Sequence, residues 1–193
     1  MLQDRRQDKI YKAELLSWFI IMNLKQIVKN VESSKAFKQF IKAHPDYFLA
    51  HCFAMLVEGE KEKDIKWELG YYSEKTDKVV VFETEPKINM RPEEDAFKKE
   101  GTIKKFDISK IKINISKALK ICGELVDKKY PNRSITKKII IMQNLEKEIY
   151  NITLVTLSFD ILNIRIDAST GEILSDNIQS IMGLGRKDLP PSA

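Results

Sequence analysis

The segment Ile161–Leu174 reads ILNIRIDASTGEIL, and this stretch decides the fold of the chain. From 162 to 166, aliphatic residues alternate with Asn and Arg, the period of two that is typical of a strand with one buried face. Turn chemistry follows at once. An Asp carboxylate can accept hydrogen bonds from the backbone amides just ahead of it, and glycine adopts a positive φ without a steric clash. The pattern therefore predicts a hairpin closed by the structural turn residues Asp167, Thr170 and Gly171.

The composition of the 193 residues allows one domain or two small ones with a real hydrophobic core. Hydrophobic residues make up 43% and charged residues 32%, with a formal net charge of +5. Lys supplies most of the positive charge. The chain is also rich in Ile, Asn and Glu, a composition typical of AT-rich genomes, and this explains the lysine excess better than selection for a polyanion-binding surface. The two cysteines, Cys52 and Cys122, are far apart in sequence, which excludes a disulfide framework or a zinc ribbon.

Neither a membrane span nor a signal peptide is predicted. The nearest candidate, the apolar run at 15–22, is shorter than the roughly 18 residues that a span needs. No small-residue cleavage site follows this run. We therefore expect the mature protein to start at Met1, to have no membrane span and to be cytoplasmic.

In the first half of the chain, apolar residues at helical spacing predict an N-terminal amphipathic helix over 1–32. Packing on its own domain is favoured over pairing with a second copy or lying on a membrane surface. A helix-plus-meander lobe is expected over 33–85, with an N-cap at Ser33 or Ser34 and a stop at Pro45. Its strands are expected at 47–57, 65–71 and 78–84. Pro and charged residues mark 86–101 as a linker or exposed loop.

The second half repeats this order over 102–178 and is followed by a flexible tail at 179–193. A helix has Ser116 near its N-terminus and stops at Pro131. Its strands are expected at 137–144, 148–158 and 161–167. Superposing the two Pro stops gives an offset of 86 between the halves, whereas matching Asp77 to Gly171 gives 94. The shared order of elements predicts a degenerate duplication, and both registers remain open.

The second half also resembles the PepSY domain, a module named for peptidase propeptides and a bacterial cell-envelope protein. The resemblance covers roughly residues 112–175. The matching stretches are ISKALKIC at 115–122, KYP at 129–131, YNITLV at 150–155 and IRIDASTGEIL at 164–174. It implies a small antiparallel sheet wrapped on a helix, broadly like cystatins. Such modules bind or restrain peptidases, or act as envelope interaction modules, and have no catalytic residues to carry over.

The expected fold class is therefore α+β, with two similar lobes and an added N-terminal helix. Each lobe is a helix packed on an antiparallel β-meander of PepSY or cystatin type. The expected function is a non-catalytic module that binds a protein partner and, by the resemblance, restrains or regulates a peptidase. The partner is expected at the sheet face or at an open edge of the second lobe. The identity of the partner and the oligomeric state remain open.

No residue pattern predicts enzymatic chemistry. His44 stands beside the helix-stopping Pro45, and His51 precedes Cys52 in an apolar run. Adjacent residues of a strand point to opposite faces, so His51 and Cys52 do not form a catalytic pair. A zinc site lacks ligands in the right number and spacing. We predict no catalytic residue, no metal and no cofactor.

The alternative function is a basic nucleic-acid-binding protein with a Lys-rich surface. Trp67, Tyr71 and Tyr72 are interleaved with Lys66 and could form a platform on which the bases of a single strand stack. The same three rings equally suit packing against a helix, and this interpretation is favoured. They are therefore a candidate partner-binding or packing surface.

Overall fold

The computed structural model describes residues 24–96 and 101–180, which form helices packed on an antiparallel sheet. The α+β class predicted from the sequence is confirmed. The helices are α1 (24–33), α2 (Lys35–Ala43) and α3 (Ile115–Lys129). The strands are β1 (Phe48–Val57), β2 (Glu68–Ser73), β3 (Lys78–Glu83), β4 (Asn89–Met90), β5 (Glu94–Asp95), β6 (Ile135–Asn144), β7 (Glu148–Thr156), β8 (Asp160–Asp167) and β9 (Ile173–Ser180).

The two halves of the chain share one continuous sheet. Its strand order is β4–β3–β2–β1–β6–β7–β8–β9, and β5 also pairs with β3. The meander β1–β2–β3 and the meander β6–β7–β8–β9 meet where β1 pairs with β6. This ladder runs from the pair His51–Gln143 to the pair Val57–Lys137. The first and second helix-plus-meander units are therefore joined edge to edge.

The hydrophobic core lies on one face of this sheet. Buried residues of α1, α2 and α3 belong to a single cluster with alternate residues of the strands. The helices contribute Leu24, Val28, Val31, Phe37, Phe40, Ile115, Ala118, Cys122 and Val126. Within the described part of the chain, no helix is long and apolar enough to cross a membrane.

Local capping explains where two of the helices begin. Ser34 Oγ accepts a hydrogen bond from the Phe37 amide (3.1 Å), so α2 starts at a side-chain N-cap. Asn114 Oδ1 accepts from the Lys117 amide (2.7 Å) and caps α3, which places Ser116 inside the first turn. Because neither cap depends on distant residues, both helix starts follow from local sequence.

Several elements differ from their predicted bounds. The second strand begins at Glu68 rather than 65, and the segment 86–96 contributes β4 and β5 against β3. The return strand β9 continues to Ser180, so residues 179–180 belong to the sheet and not to a tail. As the predicted hairpin requires, it pairs with β8, over the whole range from Asp160 to Ile166. Of the predicted N-terminal helix and tail, residues 1–23 and 181–193 lie outside the described residues.

The geometry of the central ladder favours one register of the duplication. The middle pair of the ladder is Ala54–Ile140, two positions 86 apart. The helix C-caps His44 and Tyr130 are also 86 apart. Asp77, by contrast, lies in the β2–β3 turn, whereas Gly171 lies one hairpin later, between β8 and β9. The offset of 94 therefore matches turns that are not equivalent in the two halves.

Candidate functional site

The sheet face opposite the helices, here called the open face, has an apolar centre. Side chains alternate along β1 and β6, so residues beside the buried Cys52, Ala54, Ile140 and Met142 point away from the core. The two cross-strand pairs at the centre are Phe53–Ile141 and Met55–Ile139, here called the central patch. Phe53, Ile139 and Ile141 are half-buried, and Met55 is 43% exposed. No helix of the described residues packs on this patch.

One row of neighbouring residues crosses the open face from β3 to β8. Register pairs each member with the next, so the side chains stand on one face. The row consists of Glu83, Glu68, Phe53, Ile141, Asn151 and Arg165. It is acidic at the β3 end, apolar in the middle and basic at the β8 end. An apolar centre between polar ends is the usual composition of a protein interface.

The acidic end of this row is built around one guanidinium. Glu68 and Glu83 stand side by side on β2 and β3, where two carboxylates repel each other. Arg91 Nη2 donates to Glu68 Oε2 (2.7 Å), and its Nε lies 3.9 Å from Glu83 Oε1. Two negative charges and one positive charge leave a net charge of −1 at this end.

The basic end is held by an amide network. Asn163 Nδ2 donates to Asn151 Oδ1 (2.7 Å) and to Thr153 Oγ1 (2.9 Å). These bonds fix the amide of Asn151 between the central patch and Arg165, whose side chain is exposed. Both amide hydrogens of Asn163 are therefore used within the sheet.

His51 lies on the same face, two positions before Phe53 on β1. Its imidazole packs against Gly70 on the neighbouring strand, in the space that a β-carbon would occupy. Burial lowers the pKa of His51, and the nearby charge of Arg91 lowers it further. The ring is therefore neutral near pH 7 and adds no charge to the open face.

Replacing Gly70 with alanine is expected to destabilise the fold by about 1–2 kcal/mol, because the new methyl group overlaps the His51 ring. Urea unfolding curves of Gly70→Ala measure this loss. In the double variant His51→Ala/Gly70→Ala the overlap is absent. Its loss of stability should therefore be smaller than the sum of the losses of the two single variants. Simple additivity would contradict the contact.

The three aromatic residues predicted as a partner-binding or packing surface are all buried. Trp67 is 7% exposed, and Tyr71 and Tyr72 are each 2% exposed. Tyr71 lies on the helix side, 4.7 Å from the Phe37 ring, and its hydroxyl donates to Glu32. Tyr72 packs edge-on against Phe48 and donates to Asp77. The rings pack within the fold, and their faces are not available to stack on bases.

The residues of the predicted turn lie between β8 and β9. Asp167 Oδ1 accepts from the amides of Ser169 (2.7 Å) and Thr170 (3.0 Å), and Gly171 has a φ of +84°. Lys147 Nζ lies 2.6 Å from Asp167 Oδ2. This hydrogen bond and those from the two amides hold the pKa of Asp167 below its usual value. The turn packs against α3 and is structural.

The cysteine and histidine residues form no reactive pair in the structure. Cys52 is fully buried on the core face, while His51 lies on the open face. Burial raises the pKa of both thiols, that of Cys122 to about 12. Both are therefore protonated thiols at neutral pH. His44 stacks on Phe40 at a centroid distance of 5.0 Å.

The central patch was missed at the sequence level, although a signal was present. The segments FLAHCFAMLV and KIIIMQ are apolar at consecutive positions rather than alternate ones. Such runs indicate strands with two apolar faces. One face is explained by the helices. The second apolar face of each strand predicts an exposed apolar surface. Because β1 pairs with β6, the two apolar faces lie side by side and form the central patch.

Comparison with known proteins gives no family assignment. No family model matches the chain, and no curated protein matches it. Among solved structures, the chain is similar to a putative lipoprotein from Clostridium difficile 630, with 12% identity and a TM-score of 0.44. The match covers 75% of this chain and 90% of that chain.

Proposed function

We propose that this protein is a non-catalytic, PepSY-like module whose open face binds a protein partner. The observation that carries the proposal is the central patch, four apolar side chains in two cross-strand pairs that no described helix covers. Contiguous apolar surface with a polar rim marks sites of protein association. By the PepSY resemblance of the sequence, a peptidase is the class of partner to test first.

Binding at the open face would be favourable because a partner would remove the apolar side chains of the central patch from water. Met55 is 43% exposed, and its neighbours Phe53 and Ile141 are half-buried. Burying apolar area contributes roughly 25 cal/mol per Å². Side chains at the middle of an interface dominate its affinity, because the surrounding contacts exclude water from them. We therefore expect Met55 to be the most sensitive position of the open face.

The test compares capture by the wild type with capture by two matched variants. Met55→Glu places a charge in the central patch. Leu145→Glu makes the same kind of change in the β6–β7 turn, at a side chain that is 42% exposed. Each tagged protein is used to capture partners from a native lysate, with detection by mass spectrometry. We expect one protein to be retained by the wild type and by Leu145→Glu, and lost by Met55→Glu.

The same experiment separates the nucleic-acid alternative. Capture is run at about 50 mM and about 300 mM salt with a labelled oligonucleotide present, because polyanion binding weakens steeply with salt. Equal capture of the protein by all three forms would contradict the proposed face. If only the oligonucleotide is retained, and only at low salt, nucleic-acid binding replaces protein binding. The cytoplasmic location stays part of the proposal, and cell fractionation tests it.

A further inference from the structure

We infer that the open face is self-complementary and that its partner is a second copy of this chain, packed face to face. This inference rests on the proposed function and names the partner for the same surface. The two sheets would be related by a two-fold axis that runs along the β1–β6 ladder, between the two faces. An isologous interface of this kind requires each surface element to meet its complement on the same surface.

The register of the sheet supplies that complementarity. A two-fold axis along the ladder places β1 of one copy over β6 of the other, and β3 over β8. In the row across the open face, Phe53 then lies over the other copy's Ile141, and Glu68 over its Asn151. Glu83 lies over its Arg165. Each apolar residue therefore meets an apolar residue, and each end meets its opposite charge.

The second cross-strand pair of the central patch also meets its complement in the second copy. Met55 would lie over the other copy's Ile139, because these two residues pair across the ladder. The four residues of the central patch thus meet the same four residues of the second copy. Two antiparallel sheets that pack face to face in this way form a sandwich about 10 Å thick, with the strands within about 30° of each other.

The charges make a second copy more suitable than a generic apolar partner. The β3 end has a net charge of −1 from Glu68, Glu83 and Arg91. The β8 end carries the exposed Arg165. A two-fold dimer forms the contact between Glu83 and Arg165 twice. Rotating one copy by half a turn within the plane of the interface would bring like ends together, so the charges select one arrangement.

The size of the face also fits a dimer. From β3 to β8 it is about 24 Å wide, and from His51 to Val57 it is about 20 Å long, by ordinary strand spacings. Covering it removes roughly 500 Å² per copy, or about 1,000 Å² in total, the size at which specific interfaces begin. A dimer of moderate affinity is therefore expected, with a dissociation constant in the micromolar range.

The first measurement is the mass of the full chain in solution by sedimentation equilibrium, over about 1–200 µM. We expect a reversible monomer–dimer equilibrium for the wild type and for Leu145→Glu. Met55→Glu is expected to weaken dimerisation about 100-fold or more. A monomer at all concentrations overturns the inference. If that monomer still captures a different protein that Met55→Glu loses, the proposed function stands without it.

Charge reversal tests the arrangement itself. Glu83→Arg and Arg165→Glu are each expected to weaken dimerisation about tenfold, because each creates two repulsive contacts per dimer. The double variant Glu83→Arg/Arg165→Glu restores both attractive contacts and should return to within about threefold of the wild type. Circular dichroism confirms that each variant is folded. A dimer in which the double variant is weaker than both single variants overturns the proposed axis.

Discussion

Replacing Phe82 with alanine is expected to lower the free energy of unfolding by about 3–5 kcal/mol. Phe82 lies on β3 with no solvent exposure. Its ring centroid is 5.4 Å from that of Phe37, 5.8 Å from that of Phe40 and 5.6 Å from that of Tyr71. Truncation therefore removes an aromatic ring from a packed cluster and leaves a cavity between α2 and the sheet. Guanidinium unfolding followed by circular dichroism measures the loss.

A matched control is available in the second half. Phe159 is 59% exposed in the β7–β8 turn, so Phe159→Ala should cost less than about 0.5 kcal/mol. Because the two halves share one core cluster, Phe82→Ala should also shift the single unfolding transition of the whole sheet. Two separate transitions, with only the first one shifted, would mean that the halves fold independently.

Replacing Gly171 with valine is expected to destabilise the protein by about 2–4 kcal/mol. Two causes combine. At a φ of +84°, a β-branched residue is strained by roughly 1–3 kcal/mol. A β-carbon there would also lie 3.1 Å from Ile121 Cδ1 of α3, so the Ile121 side chain must move slightly to admit it. Thermal and denaturant melts of Gly171→Val measure the sum.

A substitution at Gly59 distinguishes backbone strain from the contact with α3. It has a φ of +89° in the loop after β1, and a β-carbon there would meet nothing within 4 Å. Gly59→Val therefore reports backbone strain alone and should cost less than Gly171→Val. Equal losses at the two positions would mean that the contact between the turn and α3 contributes nothing. An unchanged melting temperature for Gly171→Val would refute the turn geometry itself.

The local elements were predictable because their signals are local. Alternation along β8 indicated its buried face, the serine pair at 33–34 indicated the start of α2, and the DASTG sequence indicated the turn before β9. Each depends on residues within about four positions of one another. The end of β9 was not predictable in this way, since its residues are mostly polar and exposed and its position depends on pairing with β8.

The pairing of β1 with β6 could not be predicted from local pattern. Ala54 and Ile140 are paired at the centre of the sheet but lie 86 positions apart, and no turn sequence fixes their register. Consequently the central patch was not predicted as a site, although the apolar run of the first strand was noticed. The predicted surface was instead the aromatic set Trp67, Tyr71 and Tyr72, because large rings suit both a binding platform and a core.

Thiol labelling at the central patch tests the central claim most directly. Met55→Cys places a thiol on the open face, and the native Cys52 and Cys122 are buried with raised pKa values, so they react slowly. Leu145→Cys, with a similar native exposure, is the control. We predict rapid labelling of Met55→Cys in dilute protein and strong protection at high protein concentration or with the captured partner. Leu145→Cys should be labelled equally in all conditions. Labelling of Met55→Cys that is slow in dilute protein, or unchanged when a partner is bound, would contradict the account.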